Sequence, residues 1–315
     1  MNPVLSEILE IPDRANDILR SQIDPLPLHT LYLGMGSSYF APLAFKYMGM
    51  PIQPELASEY AYYGTKGQKA PMAVLLSQSG RSSEVLWCRE LVDQYVAVSN
   101  YPNSELCVAP NVARVVPILA GEEHYSSSKT FVNTLIALFK GFGFSPEASV
   151  SLLADRFEQY RQQGQQLAEQ VLALRSQWPI HGMYVTGSGP NIGTAYEAAL
   201  ILSESTKLSF QGLPMAQYDH GPKETANQSI VIQIMAKGAA YERTKRLSGI
   251  LTEAGAHVFT VEALSGSSVA LEEHFSILHN IIPFNFMAYY MAEQMNIGKT
   301  FVVGGKVTEA NRAFL

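Results

Sequence analysis

The chain has 315 residues, of which 47% are apolar and 16% are charged, and its net charge is −6. This apolar content can bury a large core, and because single cores rarely grow beyond about 250 residues, we expect two domains. The acidic balance disfavours a nucleic-acid-binding protein, which needs clustered lysine and arginine to neutralise phosphates.

The cysteine content and the N-terminal sequence indicate the compartment. Cys88 and Cys107 are the two cysteines, and their spacing fits neither a metal site nor a redox motif, as is typical of a reduced cytoplasmic protein. The opening "MNPVLSEILEIPDR" carries acids where a secretory signal needs a basic start and an apolar run. The apolar stretches are shorter than the roughly 20 residues of a membrane span. We therefore expect a cytoplasmic protein with neither nucleic-acid nor membrane partners.

Taken in chain order, residues 3–23 have apolar side chains at helical spacing, which predicts helices before the first strand. A strand ending at Gly34 and a helix from about Ser38 follow. Strands and helices then alternate, and one predicted helix runs from Ser82 to Tyr95. This alternation predicts a parallel sheet covered by helices on both faces.

The same pattern starts again in the second half. Residues 146–178 form a polar, glutamine-rich helical stretch, and a second strand then ends at Gly187, 153 residues after Gly34. We predict an α/β fold of two tandem doubly wound domains with parallel sheets flanked by helices. The predicted boundaries are 1–24 for a helical lead-in, 25–145 for the first domain, 146–178 for a helical linker, 179–298 for the second domain and 299–315 for a C-terminal tail.

One strand of the first domain opens into a loop rich in hydrogen-bond donors, "SQSGRSS" at residues 77–83. Ligands of an open parallel sheet bind beyond the carboxyl ends of its strands. A hydrogen bond to a charged group contributes about 1.5–3 kcal/mol, so three or four donors and a helix N-terminus can together supply the ~4–8 kcal/mol of millimolar to micromolar anion binding without a lysine. The donors are Ser77, Gln78, Ser79 and Ser82. Serines and glycines are also ordinary loop and helix-cap residues, which is the alternative.

Two further serine clusters favour a ligand. "GSS" at residues 36–38 follows the first strand, and Ser126–Ser128 precede Lys129 and a helix. Three such junctions in one domain meet at the same edge of the sheet. They predict a phosphorylated small molecule bound mainly by neutral donors.

A dinucleotide-binding fold is the rival interpretation, because "GMGSSY" and "TGSGPNIG" both begin with G-x-G after a strand. Tyr39 and Ile192 stand where the third glycine belongs, although Glu55 lies at roughly the distance of a ribose-binding acid. The rival leaves the serine clusters unexplained, so we prefer the phosphate site.

The motifs "LGMGSSYFAPL", "LLSQSGRSSEV", "SSSKTF", "EAALILSES" and "YDHGPKE" together resemble the SIS (sugar isomerase) domain family. The resemblance is greatest to the isomerase half of glucosamine-6-phosphate synthase and its free-standing homologues, and it implies two SIS domains with a phosphosugar site in the first. The second domain has "MAKGAA" in place of "SQSG", which implies one site per chain. The positions matching the family's phosphosugar site are Gly36, Ser38, Ser77, Gln78, Ser79, Ser82 and Ser127.

The resemblance also implies chemistry at the first two carbons of a sugar phosphate. Residue 2 is Asn, so the N-terminal cysteine nucleophile of the family's glutamine-hydrolysing half is missing and glutaminase activity is not expected. An isomerase, a deaminase or a fructosamine-6-phosphate deglycase, acting on a 6-phosphorylated amino sugar or ketosamine, remains. A sugar-phosphate sensor without turnover is the alternative.

By the same resemblance, Glu204 is the proton-abstracting carboxylate and His220 the ring-opening histidine, contributed to the neighbouring subunit's site in a homodimer. Lys306 matches a tail lysine that closes over the sugar and can form an imine. A solvated glutamate, a loop histidine and a solvated terminal lysine are the plain alternatives. Ile201 departs from the family, since the synthase has a lysine there, and this favours a deaminase or deglycase over a synthase. Neither a metal nor a cofactor is expected.

Overall fold

A computed structural model describes residues 2–65, 67–267 and 271–303 of the chain. Within these residues the strands are β1 (Leu31–Gly34), β2 (Gln53–Leu56), β3 (Ala70–Leu76), β4 (Val92–Ser99), β5 (Val112–Pro117), β6 (Met183–Gly187), β7 (Gln211–Pro214), β8 (Ile230–Ile234) and β9 (His257–Val261). The α-helices are α1 (Pro3–Leu9), α2 (Ile11–Arg20), α3 (Ser37–Tyr47), α4 (Ala57–Glu59), α5 (Ser83–Cys88), α6 (Lys129–Gly141), α7 (Glu147–Asp155), α8 (Phe157–Gln177), α9 (Asn191–Thr206), α10 (Met215–Asp219), α11 (Tyr241–Glu253), α12 (Ile277–Asn280) and α13 (Ile282–Gln294).

The chain divides into two compact units. The first contains residues 10–147 and 301–303, and the second contains residues 2–9 and 148–300. The lead-in helix α2 thus lies in the first unit, whereas α8, from the predicted linker, lies in the second.

The first unit is built on a five-stranded sheet of order β2-β1-β3-β4-β5, with every pair of neighbours parallel. The apolar run that ends β3 is buried from Ala73 to Leu76, as expected for a strand covered on both faces. Leu33, Leu75 and Ala97 of three neighbouring strands share one core cluster with Trp87 of α5. The predicted α/β fold with a parallel sheet is confirmed.

The predicted helix from Ser82 to Tyr95 is too long. The structure ends α5 at Cys88, adds a 3₁₀ turn at Arg89–Leu91 and begins β4 at Val92. Asp93 and Gln94 are exposed polar residues at the start of β4, and in the sequence they resemble the solvent face of a helix. Pairing with β3, in which Ala70 lies opposite Val92, makes this segment a strand.

The second unit repeats the architecture with a four-stranded parallel sheet of order β7-β6-β8-β9. The long helix α8 packs against α13, and Gly164 allows the close approach, since a Cβ there would lie 2.4 Å from the carbonyl oxygen of Pro283. The prediction of two parallel sheets flanked by helices is confirmed.

Matching glycines show that the two units are built alike. A Cβ on Gly34 would lie 2.4 Å from the carbonyl oxygen of Ser38, and one on Gly187 would lie 2.1 Å from that of Asn191. Each glycine ends the first strand of its sheet and touches the backbone four residues later, in the following helix. Among the described residues, no helix combines the length and the apolar character needed to cross a bilayer.

Candidate functional site

The strand order of the first sheet locates the expected ligand site. The chain proceeds from β1 outward to β2 and returns to β3 on the other side of β1, so the order reverses between β1 and β3. Loops that leave two such strands in opposite directions open a crevice at their carboxyl ends, where ligands of doubly wound sheets bind. The loops at this crevice are the β1–α3 loop and the β3–α5 loop, which carry two of the three predicted serine clusters.

In the β1–α3 loop, Gly36 has a positive φ of 51° and is the N-cap residue of α3. The backbone N–H of Ser38 donates to the carbonyl of Met35 at 3.0 Å. The half-buried Ser38 side chain makes no hydrogen bond with the described part of the chain. Its hydroxyl keeps its full capacity for a ligand.

In the β3–α5 loop, the hydroxyls are held by the loop itself. Ser77 is buried, and its Oγ accepts from the N–H of Gly80 at 3.1 Å and lies 3.2 Å from the Oγ of Ser82. Ser79 Oγ accepts from the N–H of Arg81 at 3.2 Å. Because Ser79 only accepts, it still has its O–H proton to donate, whereas in the Ser77–Ser82 pair either hydroxyl can be the donor and one O–H proton of the pair stays available. The amide of Gln78 makes no side-chain hydrogen bond within the described residues.

Gly80 is required at the turn of this loop. Its φ is +64°, and a Cβ there would lie 1.9 Å from the Oγ of Ser104. Ser104 belongs to the loop after β4, and no sequence pattern distinguishes it, because its neighbours are ordinary polar loop residues. Ser104 thus packs against Gly80 of the β3–α5 loop.

The third serine cluster is already bound by a carboxylate. Glu123 is buried, and its Oε1 accepts from the N–H and the hydroxyl of Ser128, both at 3.0 Å, and from the N–H of Thr130 at 3.3 Å. Its Oε2 accepts from the hydroxyl of Thr130. Glu123 therefore caps α6, where a negative charge is favourable. Ser127, the predicted site residue, lies 3.0 Å (Oγ to Oγ1) from Thr130.

Behind this helix start, Lys129 is almost completely buried, and its Nζ donates to Glu10 at 2.7 Å. The amine of Lys129 is therefore directed into the first unit's own packing. Burial raises the pKa of Glu10, but the hydrogen bonds and charges of Lys129 and Arg14 lower it by more, and the net pKa is lowered.

Two of the predicted catalytic residues, Glu204 and His220, lie in the second unit. Glu204 is half-buried in the last turn of α9. Lys207, which follows in a left-handed conformation, donates from its Nζ to the carbonyl oxygens of Glu204 and Thr300. Ile201 is buried one turn before Glu204, so the position that differs from the family faces the interior. Glu197 is fully buried.

His220 follows α10 with an exposed side chain that makes no hydrogen bond within the described chain. Its neighbour Asp219 accepts from Arg243 at 2.9 Å and from Lys223 at 3.0 Å, and these two bonds, Arg243 first, lower the pKa of Asp219. The ion pairs fix the backbone next to His220. Lys306 lies outside the described residues.

A cleft of about 610 Å³ opens beside the β3–α5 loop. Gln78 and Ser79 form one wall, and residues that follow β4 and β5 form the others. They include Tyr101, Ser104, Glu123 and His124. The crevice residues Ser38, Ser77 and Ser82 do not line it, so the cleft continues from the loop toward β4 and β5.

No family model matches the chain. Among curated proteins, it is 25% identical over 304 residues to a glutamine–fructose-6-phosphate aminotransferase (isomerizing) of Brucella melitensis, covering 82% of this chain and 48% of that protein. The chain spans about half the length of the curated relatives it matches.

Solved structures share the fold over nearly the whole chain. Glucosamine-6-phosphate deaminase from Thermotoga maritima superposes with a TM-score of 0.76 at 21% identity, covering 93% of this chain and 95% of that one. The predicted resemblance to the SIS family is confirmed. The C-terminal domain of glucosamine-fructose-6-phosphate aminotransferase from Francisella tularensis has the same fold, with a TM-score of 0.74 at 19% identity, covering 93% of this chain and 96% of that one.

Proposed function

We propose that the chain is a sugar-phosphate isomerase-like enzyme that acts at C1 and C2 of a 6-phosphorylated amino sugar or ketosamine, as an isomerase, deaminase or fructosamine-6-phosphate deglycase. The observation that carries the proposal is the pair of hydroxyl-rich loops on both sides of the β1/β3 crevice, in a chain with the SIS fold. The deaminase activity named for the Thermotoga maritima protein supports this reaction class.

The phosphate ester binds at the crevice between the β1–α3 and β3–α5 loops. Ser38 supplies an unused hydroxyl, and Ser77 and Ser79 supply O–H protons while their oxygens hold the loop. Gly36 allows the backbone to approach the ligand closely because it has no side chain. The proposed set is completed by Gln78, Ser82 and Ser127.

The chemical step moves a proton between two neighbouring carbons. In a ketosamine, the Glu204 carboxylate takes a proton from C1, the C1–H electron pair becomes the C1=C2 double bond of an enaminol, and the C2 carbonyl oxygen takes up a proton. The Glu204 carboxylic acid then returns its proton to C2, and the nitrogen loses its N–H proton. The resulting imine at C1 adds water and releases the amine, leaving an aldose 6-phosphate. Atoms and electrons balance without an external oxidant or reductant, and the reaction uses no glutamine.

His220 assists by moving a proton between the ring oxygen and the anomeric hydroxyl when the sugar ring opens. Its exposed position after α10 suits a residue that reaches into the site of a second copy of the chain, so we propose a homodimer. Lys306 is proposed to close over the sugar.

The test is release of amine from fructosamine 6-phosphates and from glucosamine 6-phosphate. We expect turnover by the wild type and a loss of about 10²–10⁴-fold in Glu204→Gln, since that is the usual contribution of a positioned general base. The exposed Glu253→Gln on α11 is the matched control and keeps full activity. Tight binding of sugar phosphate without any turnover would instead establish the sensor.

A further inference from the structure

Helix α9, which carries Glu204, is followed by a lysine in a backbone conformation that glycine usually provides. Lys207 comes directly after Thr206, the last residue of the helix, and has a φ of 61° in the left-handed region. Glycine is the common residue at this position of a helix end, because a side chain there carries a conformational cost. A lysine at this position is therefore explained only by the contacts of its amine.

The turn that follows α9 does not depend on this amine. The backbone N–H of Lys207 donates to the carbonyl of Ser203 at 3.0 Å. Ser203 Oγ accepts from the N–H of Phe210 at 3.1 Å, and Thr206 Oγ1 accepts from the N–H of Leu208 at 3.2 Å. The backbone of the turn is thus held by its own N–H groups and by two hydroxyls.

The Lys207 amine instead joins two carbonyl groups that are far apart in the sequence. One belongs to Glu204 in the last turn of α9, where carbonyls lack intrahelical partners and a cation is favourable. The other belongs to Thr300, 93 residues further along the chain. Within the described chain, the bond to Thr300 is the one hydrogen bond that residues 298–303 make. The amine thus attaches the start of the C-terminal segment to the helix turn that carries Glu204.

We propose that Lys207 is a positioning residue that fixes the start of the C-terminal segment beside Glu204. Its amine acts on the segment and not on the substrate. The inference rests on the proposed function, because that function places Glu204 at the reacting carbons and Lys306 over the sugar. Six residues of extended chain span at most about 22 Å, so holding Thr300 beside Glu204 keeps Lys306 within reach of the site.

Lys207→Gly is the informative variant, because it removes the amine and supplies the residue that the left-handed turn favours. We expect a melting temperature at least equal to that of the wild type, together with a loss of about 10–100-fold in kcat/KM for amine release. A lysine that only stabilised the fold would lose stability and activity together. Lys207→Arg, which keeps a cation with several N–H donors, should stay within about threefold of the wild type.

Gln228 provides the matched control for the change of backbone conformation. It also has a left-handed φ, of 55°, and its side chain makes no hydrogen bond within the described residues. Its backbone bonds to His181 and Gly255 rather than to α9. Gln228→Gly should therefore keep full activity and a melting temperature at least equal to that of the wild type.

A double-mutant cycle with Lys306→Ala shows whether Lys207 acts through the C-terminal segment. If it does, Lys207→Gly adds little to the loss caused by Lys306→Ala, and the two effects on kcat/KM are not additive. Additive losses would overturn the inference, since Lys207 would then act independently of the segment. Unchanged kcat/KM in Lys207→Gly would overturn it as well.

Trypsin digestion separates this inference from the proposed function, because it requires no turnover. Lys299 is exposed and directly precedes Thr300, so cleavage after Lys299 measures how firmly this part of the chain is held. Mass spectrometry should show cleavage about threefold faster or more in Lys207→Gly than in the wild type and in Gln228→Gly. Faster cleavage, with no turnover by the wild type, supports the attachment and rejects the enzyme. Equal cleavage, with turnover by the wild type, rejects the attachment and supports the enzyme.

Discussion

Ser38 and Ser77 lie at the same crevice but differ in how much of their hydrogen-bonding capacity the fold already uses. Ser38 makes no side-chain hydrogen bond with the described residues, whereas Ser77 Oγ accepts from Gly80 and contacts Ser82. A serine that only binds the ligand and a serine that also builds the loop should respond differently to removal of the hydroxyl.

We expect Ser38→Ala and Ser77→Ala each to weaken fructose 6-phosphate binding about ten- to a hundredfold, because a hydrogen bond to a charged group is lost. Ser77→Ala should also lower the free energy of unfolding by about 1 kcal/mol, because the N–H of Gly80 keeps only the carbonyl of Ser77 as acceptor. Calorimetry and urea denaturation measure the two effects. Unchanged affinity in both variants would place the phosphate elsewhere.

At the scale of the element, α6 shows how a serine run can have two uses. The Ser128 side chain does not cap the helix itself, because its hydroxyl donates to the carboxylate of Glu123. The same carboxylate accepts from the backbone N–H of Thr130. The helix start therefore carries its own anion. Ser127, one residue earlier, is the member of the run proposed to reach the ligand.

Replacing Glu123 with Ala should destabilise the protein by about 1–3 kcal/mol. The change removes the charged acceptor of two backbone N–H groups, those of Ser128 and Thr130. Urea denaturation is the measurement, and Glu122→Ala, an exposed neighbour of the same type, should stay within about 0.5 kcal/mol of the wild type. Equal stability of the two variants would show that the carboxylate does not cap α6.

Comparison of α5, α6 and β3 shows what the sequence could predict. The buried run of β3 and the donors after it follow from apolar patterning and from the position of ligands in parallel sheets, so the crevice was predictable. The end of α5 could not be predicted, because Asp93 and Gln94 suit an exposed helix face as well as a strand. The capping of α6 by Glu123 and the contact of Ser104 with Gly80 could not be predicted either. Both contacts are made by loops, and a sequence pattern does not determine the path of a loop.

At the scale of the whole molecule, the proposed homodimer makes a prediction about mixed subunits. If His220 of one copy serves the site of the other, a hybrid of Glu204→Gln and His220→Asn chains contains one complete site and one with both changes. Mixing the two inactive variants under conditions of subunit exchange should restore about a quarter of wild-type activity, because half of the dimers are hybrids with one working site of two. No recovery, with exchange confirmed by mass spectrometry, would place both residues in sites within one chain.

The stability of the molecule should also depend on pH through a histidine outside the proposed site. His279 is fully buried in the second unit, with its Nε2 2.9 Å from Ser149 Oγ and its Nδ1 2.8 Å from the hydroxyl of Tyr160. Burial, with a smaller contribution from the charge of Arg156, lowers the pKa of His279 to about 3. The folded state therefore holds a neutral imidazole whose two hydrogen bonds are made to hydroxyls.

The unfolded chain takes up a proton on this ring below about pH 6.5, whereas the folded chain does so only near pH 3. Between these values the unfolded state binds more protons, so the free energy of unfolding is at its full value above pH 6.5 and falls as the pH falls, by up to about 1.4 kcal/mol per pH unit. Urea denaturation from pH 7.5 to pH 4.5 should show this slope in the wild type.

Because carboxylates also titrate in acid, the informative quantity is the difference from His279→Gln, which keeps a polar side chain but cannot take up the proton. That variant should be less stable at pH 7.5 and should have a shallower slope, while the exposed His181→Gln follows the wild type. Parallel profiles for wild type and His279→Gln would mean that the buried imidazole is not what couples folding to pH.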